Sequence, residues 1–299
     1  MNYSNMIKTE NTNSMYELWT PYRNNLTSYI QKVLDSNCNK NSWIAIWGAG
    51  GCNDIEISEL AINYRLLLID RDVEELIAVR DRCGLSSDIC KVVDVGFWNV
   101  TDEDYEMFQA LLMDGASLED IENYFNDLIK NMLPPIDLSD FSVECSVVVG
   151  LTSQLNARFA ALLHVHKDKI PHIEMKQVLE LLNNLNKLAT DRLFMSLRQI
   201  TNKIIISGYE ACTCYSNEEL VIARKQLESC LDEGKEGGSF LSGDEASLIK
   251  VAGNEYWHKL LYKAILMDKL EEMGMCQIID WKFTESKSYP MLMVALLIR

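Results

Sequence analysis

Gly48, Gly50 and Gly51 fall together in residues 44–57, IAIWGAGGCNDIEI, where an apolar run meets an acidic, amphipathic stretch. Glycines at such a junction let backbone approach a ligand, and a helix that follows offers unpaired N–H groups in its first turn. Asn53 or Asp54 is the expected N-cap of that helix. Asp70 ends the next apolar run, RLLLID, 20 residues after Gly50. A carboxylate there can accept both hydroxyls of an adenosine ribose, although Asp70 or Asp72 would also serve as a helix cap. A third run, KVVDV, brings Asp94 to its end, where its carboxylate suits an adenine amino group and Val95 can pack on the ring. Three successive strand ends would then line one adenosine-sized cleft.

The surrounding pattern says which elements position these residues. Apolar runs at 43–47, 66–70, 90–94, 145–150, 203–208, 276–283 and 290–298 are predicted strands. Stretches of helical spacing at about 54–63, 72–82, 103–131, 174–200 and 255–273 separate most of them. Such alternation predicts an α/β fold, a mostly parallel sheet with helices on both faces. The last two runs, CQIIDWKF and PMLMVALLIR, are joined by only TESKSY, too short for a crossover, so that pair is antiparallel or non-adjacent. Residues 1–40 read as a polar tail and an amphipathic helix with Tyr16, Trp19 and Tyr22 near its start, ahead of one domain over 41–299. Two segments exceed the alternation and are expected to form a helical cap over the cleft. Residues 154–185 add a helix and a break at Pro171; residues 216–250 add a helix and the Gly/Ser-rich surface loop DEGKEGGSFLSGDEAS.

Composition bounds the partners. The chain has 299 residues, 48% hydrophobic and 24% charged, enough for a sizeable core. Its longest clean apolar run, 291–298, is far below the roughly 20 residues of a membrane span, and MNYSNMIKTENTNS lacks the order of a secretory signal. A soluble, cytoplasmic protein with no membrane partner is expected. A net charge of −16 with no Lys/Arg cluster argues against nucleic acid. The acidity serves solubility and also suits a cationic substrate. The nine cysteines, an odd number in a chain this long, are expected to be reduced, and Cys212-Thr-Cys214 without a second ligand pair does not make a metal site. Asn53 stands where a dinucleotide fingerprint needs its third glycine, and no G-x-x-x-x-G-K-[ST] phosphate loop occurs.

IAIWGAGGCNDIEI, LLLIDRD, VVDV and the closing CQIIDWKF…YPMLMVALLIR resemble, in that order, the motifs of class I S-adenosylmethionine-dependent methyltransferases. The resemblance covers about 40–150 and 200–299, and GAGGCND is similar to the glycine turn of a bacterial subgroup with GAG-x-CND. It implies a Rossmann-like seven-stranded sheet with the last strand inserted antiparallel, and S-adenosylmethionine as cofactor with S-adenosylhomocysteine as product. Carried over by position, Gly48, Ala49 and Gly50 pack against the methionine moiety, and Asn53 and Asp54 complete the turn. Asp70, with Arg71 beside it, holds the ribose. Asp94 and Val95 meet the adenine, while Gly150, Leu151 and the residues to Gln154 flank the methyl sulfonium. Ile46 occupies a position where many members carry an acid for the cofactor ammonium, which leaves Asp54 or a backbone carbonyl for that contact. Tyr22 and Arg23 are expected at the cofactor carboxylate with Tyr16 and Trp19 closing over it; a helix simply packed on the domain is the other reading.

Methyl transfer is an in-line displacement in which alignment carries most of the catalysis. VVVGLTSQL lacks the Asn/Asp-Pro-Pro-aromatic motif used on exocyclic amines, no Pro-Cys follows a strand, and Gly150 stands where magnesium-dependent relatives place an acid. These omissions favour a small-molecule or peptide acceptor through O or N. Gln154, His164, His166 and Tyr209 are the candidate catalytic residues, with His172 and His258 as further histidines. Two other readings stand beside this one. The same fold could serve as a catalytically silent S-adenosylmethionine-binding regulatory module, or as an NAD-dependent oxidoreductase.

Overall fold

The computed structural model describes residues 16–96, 100–130, 138–170, 172–237 and 245–299. The uninterrupted apolar run WIAIW becomes β1 (Trp43–Trp47), and its burial from Ile44 to Trp47 places it mid-sheet. It lies parallel between β2 (Arg65–Asp70) and β4 (Val143–Val149), with β3 (Cys90–Asp94) outside β2 and β5 (Thr201–Glu210) outside β4. β8 (Lys287–Ile298) runs antiparallel along β5. Its other edge carries β6 (Leu270–Glu272) and then β7 (Gln277–Thr284), both antiparallel, giving the order β3-β2-β1-β4-β5-β8-β6 with β7 also on β8. The mostly parallel sheet closed by an antiparallel last strand is the expected one, but it has eight strands rather than seven among the described residues, because β6 adds to the β8 edge. Strand order reverses across β1, the switch point where open α/β sheets bind ligands.

Alternating side chains along each strand feed two cores. On one face Ile44, Ile46, Leu66 and Leu68 pack against α1 (Thr20–Asn37), α2 (Ile57–Leu60) and α3 (Val73–Arg82). On the other, Trp47 and Leu67 meet α7 (His172–Ile200), α8 (Asn217–Gly237) and α9 (Asn254–Leu266). A third core lies beside the sheet, between α4 (Asp102–Met113), α5 (Leu118–Lys130), α6 (Ala157–Val165) and the first half of α7. Phe108, Phe125 and Phe159 sit at its centre with ring centroids 5.2–5.6 Å apart. Truncating such a buried ring costs about 3–5 kcal/mol, so this unit fixes α4 and α6 firmly on the flank of the sheet.

Four expectations change. No helix follows the glycine turn directly. Ile55 and Ile57, two residues apart, are both buried, a spacing no helix face provides, and only the four residues of α2 are helical. The stretch 103–131 splits into α4 and α5 at Gly115, whose φ is +70°, and each half starts with its own cap, Thr101 with Asp104 and Ser117 with Asp120. The 255–273 helix ends at Leu266, Asp268 turns the chain at φ +54°, and β6 follows. In the 216–250 segment, α8 packs on β7 and β8, and among the described residues none of that segment faces the cleft described next. Pro171 and residues 238–244 of the Gly/Ser-rich stretch lie outside the described residues, while 232–237, expected to be loop, continue α8. Among the described residues no helix is long and apolar enough to cross a membrane.

Candidate functional site

A cleft of about 1270 Å³ opens at the carboxyl ends of the parallel strands, with Gly50, Asp70, Asp94, Val95 and Leu151 in its wall. Its floor is the glycine turn. Gly48 and Ala49 both donate N–H bonds to the Ile69 carbonyl, at 2.8 and 3.2 Å, which folds the turn back over β2. Gly48 holds φ +67°, and a Cβ there would lie 2.7 Å from Leu151 Cδ1. Gly50 holds φ +45° with nothing within 4 Å of a Cβ position, so its bare face looks into open space.

Asp70 joins the turn to β2. Its Oδ2 accepts the Gly50 N–H at 3.0 Å and its Oδ1 accepts the Asp72 N–H at 3.2 Å. Asp72, not Asp70, caps α3, through the Glu75 N–H at 3.2 Å. Each Asp70 oxygen keeps a lone pair for a ligand. Parallel register sets Asp94 beside Asp70 on the neighbouring strand, with its side chain exposed to the cleft. The Val95 N–H bonds the Asp70 carbonyl at 3.1 Å, and its side chain forms an apolar patch between them.

The opposite wall comes from α4 and the residues after β4. Arg158 pairs with Asp102 and lies 4.1 Å over the Tyr105 ring. Burial raises the Tyr105 phenol, and Arg71 and Arg158 pull it back. Gln154 is exposed on this wall and donates to Ser153 Oγ at 3.1 Å. Asp70, Asp72, Glu74, Glu75, Asp94 and Asp102 face the cleft against Arg71, Arg82 and Arg158, an excess of negative charge.

Several candidates sit elsewhere. Tyr16 and Asn53 border the cleft, but Arg23 is buried and committed. It pairs with Glu56, donates to the Tyr16 and Asn53 carbonyls at 3.0 and 2.9 Å and to Thr20 Oγ1 at 3.0 Å, and stacks under Tyr16. Four of its five N–H donors are spent inside the protein, which leaves little for a ligand carboxylate. Tyr22 is buried flat against Trp281, and Trp19 meets the same ring edge-on, so these two pack α1 on β7 rather than closing the cleft. Ala49 and Gly150 support the wall from behind without facing the cavity; Gly150 holds φ +62° and donates to the Gly208 carbonyl at 2.9 Å. Asp54, half-buried, also stands outside the cavity, and desolvation pushes its carboxyl up to about 6 against the pull of Arg23.

The histidines and Tyr209 do not reach the cleft. His164 is exposed on α6 and His166 closes that helix with its Nε2 buried, neither facing the cavity. Tyr209 is fully buried and hydrogen-bonds His258 Nδ1 at 2.7 Å in the α9-side core. Strand alternation explains this, since a residue at the end of β5 must point to one face and its neighbour to the other. That neighbour is Glu210, which lies behind the Gly150–Gln154 wall and does not itself line the cleft. It is 2% exposed, accepting from Ser153 Oγ at 3.0 Å and Asn254 Nδ2 at 2.8 Å. IIISGYE carries the same signature as RLLLID and KVVD, an acid closing an apolar strand, and could have been read the same way. Cys212 and Cys214 stand 3.9 Å apart, and among the described residues no group of three or more His, Cys, Asp or Glu could hold a metal ion.

No family model and no curated protein matches the chain. Among solved structures it is similar to the N-methyltransferase NodS from Bradyrhizobium japonicum, at 11% identity and TM-score 0.40, over 96% of this chain and 98% of that one. It is similar to a SAM dependent methyltransferase from Aquifex aeolicus, at 10% identity and TM-score 0.41, over 100% of both chains. It is also similar to the magnesium protoporphyrin IX methyltransferase ChlM from Synechocystis with bound SAH, at 7% identity and TM-score 0.43, over 96% and 88%. The strand order itself, parallel through β5 and antiparallel at β8, makes the chain a Rossmann-like α/β fold.

Proposed function

We propose that the cleft binds S-adenosylmethionine and that the protein transfers a methyl group to an O or N nucleophile of a small molecule or peptide. Asp70 carries this reading. Two backbone N–H groups fix its carboxylate at the strand end, and the lone pair left on each oxygen matches the two hydroxyls of a ribose. Asp94 and Val95 beside it suit an adenine, and the open face of Gly50 leaves room for the chain that joins ribose to sulfonium. The residues therefore fit the group. When bound, it supplies an electrophilic methyl carbon on sulfur.

The charge of the wall supports a cationic sulfonium over a dinucleotide. A pyrophosphate at this turn would face the Asp70 and Glu75 carboxylates, and α2 is too short and too distant in sequence to give it a helix N-terminus. What the chain contributes is placement. The Gly48–Leu151 contact and the Gly50–Asp70 bond hold the two sides of the cleft in one geometry, and such alignment is worth up to about 7–11 kcal/mol of a displacement barrier. Leu151 and Gln154 border the expected position of the reacting methyl.

A thermal-shift screen with S-adenosylmethionine, S-adenosylhomocysteine and NAD, followed by calorimetry, tests the reading. Stabilisation by the first two is expected. Stabilisation by NAD alone overturns it. Mass spectrometry of native extracts incubated with protein and donor then looks for an added methyl. Tight cofactor binding without transfer to a broad nucleophile panel would instead favour the regulatory module.

A further inference from the structure

Gln154 is exposed on the wall of the cleft, and its side chain is held from behind by hydrogen bonds that reach into the core. Its Nε2 donates to Ser153 Oγ at 3.1 Å, and Ser153 Oγ donates to Glu210 Oε1 at 3.0 Å. Asn254 Nδ2 donates to Glu210 Oε2 at 2.8 Å and to the Glu210 carbonyl at 2.9 Å. The Asn254 Oδ1 in turn accepts from Thr152 Oγ1 at 2.6 Å. Gly253, just before α9, is pressed on the same wall: it holds φ +88°, and a Cβ there would lie 2.4 Å from the Thr152 carbonyl oxygen. Thr152, Glu210 and Asn254 are buried and all partnered, and a polar network satisfied in this way is rigid.

The order of donors and acceptors along this chain is set from its buried end. A carboxylate accepts, and a hydroxyl has one hydrogen to give. Ser153 Oγ has two acceptors on the protein side, Glu210 Oε1 and, at 3.3 Å, the Gly150 carbonyl, and its hydrogen goes to one or the other. Toward Gln154 it can therefore only accept. Gln154 must turn its NH2 group to Ser153, and its Oε1 has no partner among the described residues. That oxygen is what Gln154 has left to offer the cavity it lines.

We infer that Gln154 presents its side-chain carbonyl to the reacting centre, with Ser153 and Glu210 as the positioning residues that fix this orientation, and that the methyl acceptor carries a hydrogen on its nucleophilic atom. This rests on the reading of the cleft as a methyl-donor site. An amine N–H or a hydroxyl O–H donates to Gln154 Oε1 and is held there. A tertiary amine has no hydrogen to give, and a carboxylate is repelled by the oxygen. The same oxygen, with its partial negative charge, favours a sulfonium beside it over a neutral thioether. The amide takes no proton. In the transfer the lone pair of the held atom forms the new bond to carbon, the C–S electron pair returns to sulfur, and the surplus proton leaves to water.

The test uses the full chain with Gln154→Leu, Gln154→Glu, Ser153→Ala and Glu210→Gln. Calorimetry compares S-adenosylmethionine with S-adenosylhomocysteine, which differ at the methyl sulfonium. Gln154→Leu and Ser153→Ala should each weaken the first about 3–10-fold and leave the second unchanged, and Glu210→Gln should act the same way about 3-fold. Gln154→Glu, which keeps an oxygen at the end of the side chain, should retain the preference. Ser153→Ala added to Gln154→Leu should change it no further, because the hydroxyl acts through Gln154. Losses that fall equally on both ligands, or a preference retained in Gln154→Leu, overturn the inference. Label from S-adenosylmethionine should enter primary or secondary amines or alcohols; label in tertiary amines or carboxylates overturns the acceptor class. NMR reads the orientation without any cofactor. The Gln154 side-chain amide protons, identified by their absence in Gln154→Leu, should exchange with solvent about 10-fold faster in Ser153→Ala than in wild type. Equal exchange in the two overturns the orientation. Failure of wild-type protein to bind S-adenosylhomocysteine sinks the donor reading instead, and the exchange rates still decide which end of Gln154 faces the cleft.

Discussion

The Asp70 carboxylate accepts the Gly50 N–H at 3.0 Å across a gap of 20 residues, which ties the first strand–turn unit to the end of the second strand. Neither partner acts alone. Gly50 at φ +45° aims its N–H at the acid, and the acid holds the turn open toward the cleft. Asp70→Ala is therefore expected to lose both binding and stability. S-adenosylmethionine affinity should fall about 100-fold by calorimetry, and unfolding free energy by about 1–3 kcal/mol for the stranded N–H groups. Asp70→Asn, keeping one acceptor oxygen, should fall between.

Gly48 and Gly50 should respond differently to alanine. Gly50→Ala adds about 1–2 kcal/mol of left-handed backbone strain and no clash, so chemical denaturation should show a modest loss while ligand affinity falls sharply. Gly48→Ala also drives a methyl into Leu151 and should cost more. Combining it with Leu151→Ala should recover the excess, seen as a non-additive double-mutant cycle.

How far the site was legible follows from these residues. Strands β1 to β3 and the acids at their ends were readable because a strand buried on both faces writes itself as a continuous apolar run, and a carboxylate closing it stands out. The turn after Gly50 was misread as a helix start because GGCNDIEI has capping residues and amphipathic composition, while burial of both Ile55 and Ile57 is decided by long-range packing. Arg23 was aimed at a ligand on residue type alone, and its partners Glu56 and Asn53 lie 33 and 30 residues away. Tyr209 turns into the core, which its sequence does not reveal, because a strand's facing cannot be assigned until its neighbours are known.

Arg23→Ala is expected to act on folding more than on affinity. Removing the buried guanidinium takes the ion-pair partner from Glu56 and the donor from the Asn53 carbonyl, for about 3–5 kcal/mol by denaturant melts. A selective loss of cofactor affinity with unchanged stability would return Arg23 to the ligand site.

Tyr209→Phe should leave S-adenosylmethionine binding and methyl transfer unchanged while costing about 1 kcal/mol through the lost bond to His258. A steady-state assay in which its turnover collapses would restore Tyr209 as a catalytic residue.

Asp54 predicts an inverted pH profile for its own contribution. Its carboxyl is pushed up to about 6 from an ordinary 3.8, so the folded protein holds the extra proton between those values. Stability from this group is present below about pH 4, declines as pH rises through about 6, and levels off above it, for a loss of about 2 kcal/mol after allowing for partial exposure. Asp54→Asn should flatten that slope in urea melts run from pH 4 to 7.

β8 fills a slot between β5 and the β6/β7 edge, yet it follows all three in the chain. Until residues 287–298 leave the ribosome, β5 presents an unpaired apolar border, a template for adhesion between nascent chains. Closure of this seam must therefore wait for the 76 residues, 211–286, between the two strands, and substitutions that weaken the Ile204–Glu210 to Met291–Leu297 pairing should first be felt as poor folding yield, before any effect on the mature molecule.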